Sequence, residues 1–92
     1  MAKVIKMPKR FDYSASYEFN DLIATNLAEC EGNPAVLDCS DMNYIDSAGI
    51  GLLVMAHKKA MSANSRIELI GVKPSIKEIF LLANLQKLIQ IK

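Results

Sequence analysis

The stretch Ala35-Val36-Leu37-Asp38-Cys39-Ser40-Asp41-Met42-Asn43-Tyr44-Ile45-Asp46-Ser47-Ala48-Gly49-Ile50-Gly51 decides the fold. Ala35 to Cys39 reads as a strand, and the adjacent Val36 and Leu37 fit a sheet covered on both faces. Ser40 to Tyr44 is rich in turn formers and reads as a short connection. From about Ala48 to Ala63 the apolar spacing becomes helical, with Gly49 and Gly51 weakening the first turn. A strand that passes its chain to a helix through a short link is half of a crossover unit. Crossovers build parallel or mixed sheets.

The flanking segments repeat that alternation. Val4 to Met7 alternates apolar and basic residues like a short edge strand, and Pro8 ends it. Ser14 or Ser16 can cap a helix, with Glu18 and Asp21 in its first turns where the dipole favours acids. Phe19, Leu22, Ile23, Leu27 and Cys30 follow as one apolar stripe, stopped by Gly32, Asn33 and Pro34. Arg66 to Ile70 is a strand closed by Gly71. Pro74 suits the first position of a third helix, whose expected buried face is Ile76, Ile79, Phe80 and Ala83. Asn84 fits a left-handed cap, and Leu88 to Ile91 a last strand. The predicted order is β-α-β-α-β-α-β with no internal repeat, an α/β fold.

The chain has 92 residues, room for one domain spanning 1–92. At 51% apolar and 23% charged residues, disorder is excluded as a class. A net charge of +1 gives no electrostatic footprint for direct nucleic-acid binding. Met1 to Phe11 lacks the apolar core of a secretory signal, and Ala48 to Ala56 falls far short of a membrane span. No membrane insertion is expected, and the cytoplasm is the expected location. Cys30 and Cys39 read as two buried reduced thiols. With His57 they lack the paired spacing of a zinc site, so no metal and no cofactor is expected.

Charge falls in blocks. Lys3, Lys6, Lys9 and Arg10 come first; Asp12, Glu18, Asp21, Glu29, Glu31, Asp38, Asp41 and Asp46 follow without a base. From Lys58 onward, seven bases meet only Glu68 and Glu78. Such blocks fit a solvated surface, and equally an acidic face that steers a partner protein.

Enzyme signatures are scarce. His57, the one histidine, falls inside the second predicted helix. No nucleophile elbow surrounds a serine, and no phosphate-binding loop is present. Gly49-Ile50-Gly51 lacks the third glycine of a dinucleotide fingerprint, because Val54 occupies its place. Carboxylates such as Asp38 and Asp41 read as strand-end solvation. No catalysis is expected.

Tyr44 to Gly51 nevertheless stands out, because Ser47 falls where the first free N–H groups of a helix point outward. One reading is that Asp46 or Ser47 caps the helix and does nothing more. The other starts from Gly49 and Gly51, each costing about 1 kcal/mol against Ala in a helix interior. Both remove side chains beside the serine and would let a partner approach. Ile50, Leu52, Leu53, Val54, Met55 and Ala56 are also apolar nearly all round. Either neighbouring helices cover them or some remain exposed near Ser47 as an interaction surface.

Leu37-Asp38-Cys39-Ser40 followed by Ile45-Asp46-Ser47-Ala48-Gly49-Ile50-Gly51 resembles the signature of the STAS domain family. It is most similar to the bacterial anti-sigma factor antagonists, whose usual motif is Asp-Ser-Ser-Gly-Leu-Gly. Gly71-Val72-Lys73-Pro74-Ser75-Ile76 and Leu85-Gln86-Lys87-Leu88 resemble the family's last helix and strand. The resemblance runs from about Val36 to Ile91. It implies a mixed or mostly parallel sheet with helices mainly on one face, and no enzymatic activity.

The resemblance also implies a switch. Ser47, after the motif's Asp46, is the expected phosphorylation site, and Ala48 removes the second serine usual there. A serine kinase that is also the anti-sigma factor adds the phosphate, and a PP2C-type phosphatase removes it. Unphosphorylated, such an antagonist binds the anti-sigma factor and frees the sigma factor. Asp12, Tyr44, Asp46, Ser47, Ala48, Gly49 and Ile50 are the expected partner-binding residues, Asp12 by a loose match of Arg10-Phe11-Asp12. By the same resemblance, the short N-terminus implies an opening hairpin reduced to one strand, which is the expectation here. Alternatives are a STAS subunit docked on a transporter ATPase, and a small-ligand carrier or enzyme with a cleft near Gly49.

Overall fold

The computed structural model describes residues 4–30 and 32–92. In chain order its elements are β1 (Val4–Lys6), β2 (Arg10–Phe11), α1 (Ser16–Cys30), β3 (Ala35–Asp38), β4 (Tyr44–Ile45), α2 (Ser47–Ser62), β5 (Ile67–Ile70), α3 (Pro74–Leu82) and β6 (Gln90–Ile91). Four strands form one sheet in the order β1-β3-β5-β6, and two form a small separate pair, β2-β4. Every pairing is parallel; in the main sheet Ile5, Leu37, Leu69 and Ile91 lie side by side in one row. The expected mixed or mostly parallel sheet is therefore parallel throughout the described residues.

Each crossover steps the same way across the sheet. Right-handed connections then place all three helices on one face. Ile5, Ala35, Leu37, Ile67 and Leu69 are buried on that face. Phe19 and Ile23 of α1, Leu53, Ala56 and Ala60 of α2, and Ile76 and Phe80 of α3 pack into the same core. The other face carries Val4, Lys6, Val36, Asp38 and Ile70, none of them buried. Cover on both faces, expected from Val36 beside Leu37, is not found. Among these outward residues Glu68 is the exception, only 5% exposed between two bases.

Three local expectations are corrected. The α1 helix is entered through a 3₁₀ turn, Tyr13–Ala15, whose cap is Asp12 rather than Ser14 or Ser16. Leu22 is 41% exposed, because it lies beside β1, the edge of the sheet, with no strand beyond it. Ile79 and Ala83 are also exposed, since nine-residue α3 buries only Ile76 and Phe80, one helical turn apart. Pro74 does open α3, and Asn84 takes the left-handed conformation at φ 58°. Cys39 is a buried free thiol, pushed up to about 12 by burial and then by the nearby Asp38 charge. The Cys30 side chain lies outside the described residues.

Candidate functional site

The site begins where β3 ends. Asp38 Oδ1 accepts the Ser40 N–H at 2.9 Å, and the Cys39 N–H bonds to the Ile70 carbonyl at 2.8 Å. These bonds turn the chain off the sheet, and buried Met42 anchors it. Asn43 and Tyr44 then both donate to the Lys9 carbonyl, at 2.9 and 3.2 Å. Arg10 pairs with Tyr44, and Phe11 with Ile45. Ser40 to Tyr44 was expected to be all connection; its last residue is strand, made by a partner distant in sequence.

That pairing joins two segments. Phe11 and Ile45 point inward, and Phe11 packs edge-on against Phe19 at 4.9 Å between ring centroids. Arg10 and Tyr44 point outward, with the guanidinium carbon 4.1 Å from the ring centroid, a cation–π contact. Arg10 Nε also donates to Asp12 Oδ2 at 2.7 Å. Asp12 Oδ1 meanwhile accepts the Ser14 N–H at 3.0 Å and the Ser14 hydroxyl. Those Ser14 bonds, then the Arg10 bond, hold the Asp12 carboxyl below its usual range.

Asp46 follows in extended conformation and starts α2. Its Oδ1 accepts the Gly49 N–H at 3.0 Å, and its carbonyl accepts the Ile50 N–H at 3.0 Å. The capping role belongs to Asp46, which leaves Ser47 as the first helical residue. Ser47 is exposed, and no described side chain bonds its hydroxyl. Ala48 and Ile50 are half-buried beside it.

Gly49 departs from its expected role. It is buried, and a methyl group built there would overlap the Phe11 carbonyl oxygen and lie 2.7 Å from Ile45 Cγ1. Its missing side chain makes room for β2, not for a partner. Gly51 differs, since a methyl there would meet nothing within 4 Å and the position is open. Along α2 the apolar run divides: Leu53 and Ala56 are buried, Ile50, Leu52 and Val54 pack at the rim of the core, and Met55 is 50% exposed.

Asp12, Tyr44, Asp46, Ser47, Ala48 and Ile50 thus gather around one helix start, with Gly49 beneath them. The structure adds Arg10 to these residues, beside Tyr44. Its signal was its position, the last base before a long acidic stretch. Tyr13 and Tyr17, at the entry to α1, are 77% and 88% exposed.

The motif implied a mixed or mostly parallel sheet with helices mainly on one face, and the parallel sheet found here, with Ser47 opening the Asp46-capped second helix, agrees with that fold. The STAS domain family model matches residues 2–92. The chain belongs to the STAS domain family. A STAS-domain containing protein of Pseudomonas aeruginosa (strain UCBPP-PA14) is 28% identical over 87 residues, 95% of this chain and 84% of that one. A Thermotoga maritima protein proposed to be an anti-sigma factor antagonist superposes with a TM-score of 0.77 at 22% identity, over 96% of this chain and 77% of that one. The anti-sigma factor antagonist SpoIIAA in its unphosphorylated form gives 0.76 at 18% identity, over 97% and 77%. The phosphorylated form of Bacillus SpoIIAA gives 0.68 at 18%, over 97% and 80%. At these identities the structural likeness is one of STAS fold. Among the described residues no helix is long and apolar enough to cross a membrane.

Proposed function

We propose that this STAS domain is an anti-sigma factor antagonist whose binding is switched by phosphorylation of Ser47. The observation that carries the reading is the exposed Ser47 hydroxyl, which no described side chain bonds, directly after the Asp46 cap. SpoIIAA, solved in phosphorylated and unphosphorylated forms, supports it by likeness of fold. The partners are an anti-sigma factor that is also a serine kinase, and a PP2C-type phosphatase that resets the switch. The domain works in the cytoplasm by binding, without catalysis of its own and without touching nucleic acid.

The docking surface is the group Asp12, Tyr44, Ser47, Ala48 and Ile50, of which Tyr44 and Ser47 are exposed and the others half-buried, with Gly51 leaving room for close approach along α2. Phosphate adds about −1.5 to −2 charge and three acceptor oxygens. At a helix start this is tolerated by the fold, because free N–H groups and the dipole favour an anion. The cost falls on the complex, through bulk and desolvation at the partner's surface.

Affinity capture from the native cell tests this. With wild-type chain as bait, a serine kinase of the anti-sigma class is expected among the retained proteins, and Ser47→Asp bait should lose it. Equal recovery on both baits overturns the reading.

A further inference from the structure

Arg10 is a cation only partly used by its neighbours. Asp12 takes its Nε, and the Tyr44 ring supports the guanidinium plane. No described residue hydrogen-bonds its terminal Nη atoms, and the side chain is 65% exposed. An arginine has five N–H donors, so four remain available. The two contacts fix the group without consuming the fork that recognises phosphate oxygens in pairs.

Its placement is set by the small sheet. Arg10 lies beside Tyr44 in the β2–β4 register, and the chain runs from Tyr44 through Ile45 and Asp46 to Ser47. Asp46, the neighbour of Ser47, is close enough to help hold the Arg10 charge, after the larger effect of the Asp12 bond. Lys6, another base of the N-terminal block, is engaged with Asp41 at 3.4 Å.

We infer that Arg10 is the internal counter-ion of a phosphate carried on Ser47, receiving its oxygens on the free Nη donors while Asp12 keeps Nε. The inference rests on the reading of Ser47 as the modified residue. It adds a second means of inhibition. A phosphate held by Arg10 spans the surface between Ser47 and Tyr44, so the modification covers the docking residues as well as charging them. The bond is within the chain and acts before any partner arrives.

The test is independent of any kinase. Phosphoserine is incorporated at position 47 during synthesis of the full chain, in wild type, Arg10→Gln and Arg10→Lys, and the phosphate is titrated by phosphorus NMR. Asp12, Tyr44 and Asp46, the titratable groups around the site, are the same in all three, as is the helix start. The second phosphate pKa is expected about one unit lower in wild type than in Arg10→Gln. Arg10→Lys should lie between them, since it keeps the charge and loses the fork. Coincident titrations of wild type and Arg10→Gln overturn the inference. If Arg10→Gln does not fold, wild type must still titrate below Arg10→Lys, and coincidence of those two overturns it. Failure of the modification itself would show separately, as absence of phosphate on Ser47 in the cell.

Discussion

The carboxylate of Glu68, on β5, accepts a 3.0 Å bond from the ammonium of Lys92, on the residue that follows β6. Its other oxygen accepts from Arg66 Nε at 3.1 Å. Glu68 therefore holds a charge on the accessible face of the sheet and ties the last strand to its neighbour. The Lys92 bond, then the Arg66 bond, draws its pKa below the ordinary glutamate value. A carboxyl depressed in the folded state binds fewer protons than in the unfolded chain. Its stabilisation is complete above the unfolded value and fades as pH falls through the folded one. Urea midpoints should be flat near neutrality and decline below about pH 4.5. Asp12 and Asp38, also depressed, contribute in the same direction. Glu68→Gln should lower neutral stability by about 1 kcal/mol, a figure reduced for two half-exposed partners, and flatten the acid decline. An unchanged acid slope in that variant would remove Glu68 from the account.

The two glycines of α2 should respond oppositely to alanine. At Gly49 the added methyl must displace the Phe11 backbone, and overpacking of that kind costs about 1–3 kcal/mol. For a domain of this size a 2 kcal/mol loss lowers Tm by roughly 8–16 °C. At Gly51 there is open space, and alanine should stabilise by about 0.5–1 kcal/mol through helix propensity. Partner affinity should fall in Gly51→Ala although the protein melts higher. Thermal melts and binding titrations on both variants check this.

Asp46→Ala removes the cap from α2. The expected loss is about 1 kcal/mol, read as a lower urea midpoint with an unchanged slope. Asp46→Asn or Asp46→Ser should recover most of it, since both still accept from the Gly49 N–H. Failure of those variants to recover would mean that the charge, and not the cap, is what matters at this position.

Ser47→Ala should bind the anti-sigma partner and take no phosphate, because no second serine follows it. Ser47→Asp should stay folded, since a carboxylate in a first turn gains about 0.3–1 kcal/mol from the dipole. In the complex an unpaired buried charge costs about 2–5 kcal/mol. Aspartate is smaller and less charged than phosphoserine, so a loss of about 30-fold in affinity is expected. Calorimetric titration of the three proteins gives the comparison, and phosphopeptide mapping fixes the acceptor.

Much of this fold is legible in the chain because periodicity and local stop signals agree. Pro74 opens a helix, Asn84 takes a positive φ, and Leu37 lies in a strand before a turn, each for a reason local in sequence. The candidate site was legible through Asp46 and Ser47, where capping chemistry leaves a mark on the residue types themselves. What stayed hidden is contact between distant segments. Two-residue strands have no period to detect, so the pairing of Arg10 with Tyr44 left no trace. Gly49 looked like a cleared surface position because the neighbour that requires it, Phe11, belongs to another part of the chain. Leu22 matched the apolar stripe, but only the strand order shows that it stands at an edge.

The all-parallel arrangement also gives the molecule two unlike ends. Strands β3 and β5 start beside the turns at 32–34 and 63–65, which Ser65 links through a 2.6 Å bond to the Asn33 carbonyl. The candidate site residues gather past the opposite ends of the strands. Sixteen residues of α2 separate the two ends, about 24 Å of helix. Asn64, exposed and already in a left-handed turn, is therefore a place to graft a fluorophore or an affinity tag. A reporter there would be carried through partner binding and phosphorylation while the Ser47 end remains free.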